Sequence, residues 1–161
     1  MIIIVMGVSG SGKTTIGKLL ADSLGWEFSD ADSFHSLENV EKMRRGIPLT
    51  EADRMPWLQD LQAAIKHWLQ ENKNVVLACS ALKDSYRQFL VSDSDHTKLV
   101  YLKGSYELIQ IRLKERSNHY MSEKLLNSQF DTLEEPLDTI SMDVAQPPQI
   151  IVQNIRTALR L

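Results

Sequence analysis

The sequence predicts an α/β fold, with about five parallel strands and helices on both faces. Three observations carry this expectation. Short apolar runs, several rich in β-branched residues, recur along the chain. Segments with helical apolar spacing separate them. A glycine-rich loop joins the first apolar run directly to the first helical segment, as at the start of a βα unit.

Residues 1–6 form an unbroken apolar run, as expected of a strand covered on both faces. The helix after the glycine loop is expected to reach Leu24 and stop at Gly25. Residues 26–29 alternate and read as a second strand. This strand runs into Asp30-Ala31-Asp32-Ser33-Phe34-His35, which places two carboxylates at the carboxyl end of a strand. Open parallel sheets bind ligands at that edge. Ser36 can cap a helix running through Arg45, closed by Gly46 and Pro48. Thr50-Glu51-Ala52-Asp53 has the pattern of a capping box. Pro56 is unfavourable deep in a helix, so the long helix with Leu58, Leu61, Ile65, Trp68 and Leu69 is expected to begin there.

Residues 75–79 are the third buried strand, and a helix to Val91 follows Ser80-Ala81-Leu82-Lys83. Residues 98–102 make the fourth strand, and Gly104-Ser105 turns into a helix ending near Arg116. Residues 117–120 break the pattern, and a helix resumes over 122–130. Residues 139–144 read as a fifth strand, and Pro147-Pro148 opens a closing helix. Periodicity does not give the strand order.

Chemistry is most legible in Gly7-Val8-Ser9-Gly10-Ser11-Gly12-Lys13-Thr14, a GxxxxGK[ST] match between a strand and a helix. The backbone of Gly7, Ser9, Gly10, Ser11 and Gly12 is expected to cradle phosphates, with Thr14 and Thr15 opening the helix. Lys13 can reach the β- and γ-phosphates, and the Thr14 hydroxyl can ligate Mg²⁺. A nucleoside triphosphate, ATP, is therefore the expected cosubstrate.

The composition narrows the class further. The chain has 161 residues, suited to one domain, and is 43% hydrophobic, enough for a core. A net charge of −3 argues against nucleic acid as a main partner. The lone cysteine fits a reducing compartment. The first apolar run is too short for a signal peptide or a membrane span. No membrane contact and a cytoplasmic location are expected.

The third strand ends in Cys79-Ser80, without the Mg²⁺-organising aspartate of many GTPases and motor ATPases. The Asn-Lys-x-Asp guanine motif is absent as well. Asp30 or Asp32 can supply the missing acid, as in the small kinases related to adenylate and shikimate kinase. More specific blocks follow: Asp30-Ala31-Asp32 with His35, then Gly46-Ile47-Pro48-Leu49 and Asp53-Arg54-Met55-Pro56-Trp57-Leu58. Cys79-Ser80-Ala81-Leu82-Lys83, Tyr86-Arg87, Ser128-Gln129-Phe130, Leu133-Glu134 and Pro136 complete them. In this order they resemble the gluconate kinase family. The chain departs from the family at Ala31, where glycine is usual, and at Ser36, where proline is usual.

The resemblance implies a three-layer P-loop kinase domain over residues 1–161, with a substrate region at about 30–58 and a mobile lid at about 117–130. It implies transfer of the ATP γ-phosphoryl group to the 6-hydroxyl of gluconate. Arg54 is the expected fork for the substrate carboxylate. Asp32 is expected to orient or deprotonate the accepting hydroxyl, and Asp30 to hold Mg²⁺ through water. Which of the two acts as base stays open. His35 is a candidate donor to a sugar hydroxyl. Lys83 and Arg87, one turn apart, are expected to face the substrate together. Arg112, Arg116 and Pro147 are expected near the nucleotide, Arg116 at the edge of the lid. A homodimer is the expected assembly. A kinase for shikimate, another sugar acid or a nucleoside, and a non-catalytic nucleotide switch, remain alternatives.

Overall fold

The computed structural model describes residues 1–115 and 123–161. Five strands form one parallel sheet: β1 (Ile2–Met6), β2 (Glu27–Asp30), β3 (Val75–Ala78), β4 (Thr97–Lys103) and β5 (Ile140–Asp143). Their spatial order is β2-β3-β1-β4-β5. The first strand therefore lies at the centre, and every residue of it is buried. Alternation sends its side chains to two cores. Ile3 and Val5 join one with α1 (Lys13–Leu24), α5 (Tyr106–Glu115), α6 (Glu123–Thr132) and α7 (Pro148–Leu159). Ile2, Ile4 and Met6 join the other with α3 (Glu51–Gln70) and α4 (Asp84–Leu90). Helices thus cover both faces, and the α/β expectation holds.

Parallel strands put the carboxyl ends of β1, β2 and β3 on one edge. The P-loop, the Asp30–His35 segment and Ser80 leave the sheet there. The helix α1 sits close against β2, because a Cβ on Gly17 would lie 2.6 Å from the Phe28 ring. After β2, residues Ala31–Phe34 make one turn of 3₁₀ helix. The short α2 (Leu37–Arg44) follows, capped by Ser36, whose hydroxyl accepts from Asn39 N–H at 3.1 Å.

One boundary differs from expectation. The helix α3 begins at Glu51, not at Pro56, which lies inside it. The capping box is complete: Thr50 Oγ1 accepts from Asp53 N–H, and Asp53 Oδ2 accepts from Thr50 N–H. Pro56 removes only the bond to the Ala52 carbonyl, and both residues lie on the exposed face where water can replace it. Of the expected lid, residues 117–122 lie outside the described residues, and 123–130 belong to α6. No described helix is long and apolar enough to cross a membrane.

Candidate active site

The phosphate loop closes on itself before it meets a ligand. Gly12 adopts φ 97° at the start of α1, a left-handed conformation that an L side chain would strain. The first-turn N–H groups of α1, those of Lys13, Thr14 and Thr15, have no carbonyl partner within the helix. They and the helix dipole provide the anion site. Lys13 Nζ donates to the Val8 carbonyl at 3.1 Å and so curls over the loop. The Ser11 N–H donates to the Val8 carbonyl at 3.2 Å, and the Ser11 hydroxyl is buried without a described hydrogen-bond partner.

At the end of β2, Asp30 organises the turn that follows. Its Oδ1 accepts from Asp32 N–H at 3.0 Å, and its carbonyl accepts from the Ser33 hydroxyl at 2.7 Å. Its other oxygen accepts from Thr14 Oγ1 at 3.3 Å. The hydroxyl and carboxylate expected to share a magnesium ion therefore meet. Magnesium keeps most of its waters and binds few protein groups, so this pair fits it.

A cavity of about 800 Å³ opens beside the loop. Ser9 and Lys13 line it from the phosphate side, Asp32 and His35 from the end of β2, and Arg54 and Tyr86 from α3 and α4. His35 stacks on Trp57 with ring centroids 4.4 Å apart. The Trp57 indole N–H donates to the Ala31 carbonyl at 2.8 Å and pins the turn. Asn39 Nδ2 donates to the Asp53 carbonyl at 2.8 Å, which fixes the amide orientation. The same nitrogen is 3.2 Å from His35 Nδ1, so Nδ1 accepts and Nε2 carries the proton. Burial lowers the His35 pKa; Arg54 adds to this, while Asp32 opposes it. The ring is a neutral donor.

Arg54 is also pre-set. Its Nη1 donates to the Tyr86 hydroxyl at 3.2 Å, and that hydroxyl donates to Glu51 Oε1 at 2.8 Å. Lys83 pairs with the same Glu51 oxygen. This ammonium, then the Tyr86 hydroxyl, hold the Glu51 carboxyl below its usual range. Lys83 and Arg87 do not face the cavity together. Lys83 precedes α4 in extended backbone, so helical spacing does not govern it, and Glu51 takes its charge. Arg87 is buried and donates to the carbonyls of Ala81 and Glu134, both at 2.8 Å. Ala81 has φ 43°, so Arg87 locks a strained turn after β3. Burial pushes the neighbouring Cys79 thiol up to about 12.

Arg112, expected near the nucleotide, donates to the Val144 carbonyl and so ties α5 to the loop that carries exposed Pro147. Arg116 lies outside the described residues. Arg44, Tyr86, Ser128 and Gln129 also line the cavity and were assigned no role from sequence. The Tyr86-Arg87 and Ser128-Gln129-Phe130 blocks were the available signal for three of them, all but Arg44.

Residues 9–160 match the family described as Shikimate kinase. A gluconokinase of Arabidopsis thaliana is 43% identical over 169 residues, covering 96% of this chain and 89% of that protein. The chain belongs to the gluconokinase family. The thermosensitive gluconokinase of Escherichia coli strain K12 is 39% identical, with 97% of this chain and 86% of that protein covered. The crystal structure of a gluconokinase from Sinorhizobium meliloti 1021 superposes with a TM-score of 0.86 at 42% identity, covering 98% of this chain and 90% of that one. A P-loop kinase of this family binds ATP.

Proposed function

We infer that the protein is an ATP-dependent gluconokinase that converts D-gluconate to 6-phospho-D-gluconate. One observation carries the reading: the P-loop residues Ser9 and Lys13, the carboxylate Asp32 and the guanidinium of Arg54 line a single cavity. A small polyol with one carboxylate matches that set. The guanidinium takes the carboxylate, and the opposite end of the molecule meets Asp32 and the phosphate loop.

In this reading Arg54, held by Tyr86, pairs with the carboxylate of gluconate. His35 offers its Nε2–H to a hydroxyl. Asp32 orients the 6-hydroxyl and takes its proton as the new O–P bond forms and the bond to the β-phosphate oxygen breaks, releasing ADP. Lys13 leaves Val8 for the β- and γ-phosphate oxygens and offsets their charge. Thr14 and Asp30 would hold magnesium, which would supply charge neutralisation to the triphosphate. The same reading carries a homodimer as the assembly and the cytoplasm as the compartment.

The test is ADP release with MgATP across gluconate, idonate, shikimate and nucleoside monophosphates. Turnover with gluconate well above the others is expected. Turnover only with a nucleotide or shikimate acceptor would overturn the acceptor assignment.

A further inference from the structure

Gln129 has no role in the chemistry described so far, yet it lines the cavity and addresses the phosphate loop directly. It projects from α6. Its Oε1 accepts from Ser9 N–H at 2.7 Å, and its Nε2 lies 3.4 Å from Ser9 Oγ. A backbone N–H can only donate, so the shorter contact fixes the amide orientation. The oxygen faces the Ser9 nitrogen and the NH₂ faces the Ser9 hydroxyl. That hydroxyl therefore accepts from Gln129, and its own proton is turned away from Gln129. Ser9 and Lys13 line the cavity together, which in the kinase reading is where the terminal phosphate meets the acceptor.

We propose that Gln129 is a positioning residue for phosphoryl transfer that acts through Ser9. It holds the acceptor-facing end of the P-loop and orients the Ser9 hydroxyl to donate to the transferring phosphoryl group. Such a donor acts where charge develops, and displacing it lowers the rate of transfer more than the binding of gluconate. The inference rests on the kinase reading above.

Steady-state kinetics with MgATP and gluconate, with thermal melting alongside, test it on wild type, Q129A, Q129M, Q129E, S9A and the S9A/Q129A pair. Absence of turnover in the wild type would remove the kinase reading itself. With turnover present, Q129A and Q129M are expected to lose about tenfold or more in kcat while the KM for gluconate moves by less than about twofold. Q129M keeps the length of the side chain and decides the matter if Q129A fails to fold. Q129E puts a carboxylate where it accepts the Ser9 proton and repels the triphosphate, so kcat falls and the KM for ATP rises. The S9A/Q129A pair is expected to be no slower than the slower of the two single variants, because Gln129 acts through Ser9. Unchanged kcat in Q129A and Q129M, or single effects that multiply in the pair, would overturn the proposal. So would a loss that follows a lowered melting temperature and returns on cooling.

Discussion

Arg54 is held in place before a substrate arrives. Tyr86 accepts from its guanidinium, and Glu51 anchors Tyr86 and Lys83 in turn. A charge-assisted fork of this kind contributes about 1.5–3 kcal/mol to binding. Arg54→Ala is therefore expected to raise the KM for gluconate about 10- to 100-fold with little change in the KM for ATP. Equal effects on both would place Arg54 outside the acceptor site. At this scale the backbone was legible where a motif fixes it, as at the turn that opens α1 at Lys13 and Thr14. The sequence misled where spacing was taken for direction. Lys83 and Arg87 are four positions apart, but Lys83 stands outside the helix. Arg87 turns inward to satisfy carbonyls that no sequence pattern announces. The role of Tyr86 was hidden for the same reason, since its partners come from a distant helix.

The helix α3 shows how a cap can outrank a proline. Thr50 and Asp53 satisfy each other's N–H groups, and Asp53 also takes Lys42 at 2.9 Å. The Thr50 N–H first, then Lys42, hold the Asp53 carboxyl down at about 2. This cap nucleates the turn that carries Arg54. Without it, the next favourable start is the first-turn position offered by Pro56. Thr50→Ala is expected to cost about 1 kcal/mol. It should also speed amide exchange over residues 51–55 and raise the KM for gluconate. Unchanged exchange there would show that packing alone fixes the turn. The existence and type of the other described strands and α-helices were legible, because apolar runs and helical spacing report burial directly; the 3₁₀ turn at Ala31–Phe34 was not. The start of α3 was not, because two local rules competed and their energies decided between them.

At the scale of the whole molecule, the sheet separates two cores, and the central strand sends buried side chains to each. Ile3 faces the core of α1, α5, α6 and α7, and Ile4 faces that of α3 and α4; both are buried. Replacing either with alanine is expected to cost about 3 kcal/mol. The two losses should nearly add in the double variant, because the side chains share no pocket. A sum of about 6 kcal/mol approaches the full stability of many domains of this size. Denaturant unfolding checks this, and a double variant no weaker than the singles would mean that the cores relax together. The strand order β2-β3-β1-β4-β5 was not legible, since periodicity reports burial and not neighbours. Cys79 has a practical consequence of its own. The chain's sole thiol is fully sealed at the end of β3 and stays protonated at any working pH. A maleimide dye or spin label applied to a variant such as Leu37→Cys, at an exposed position on α2, would therefore mark that position alone, with the native cysteine left in place.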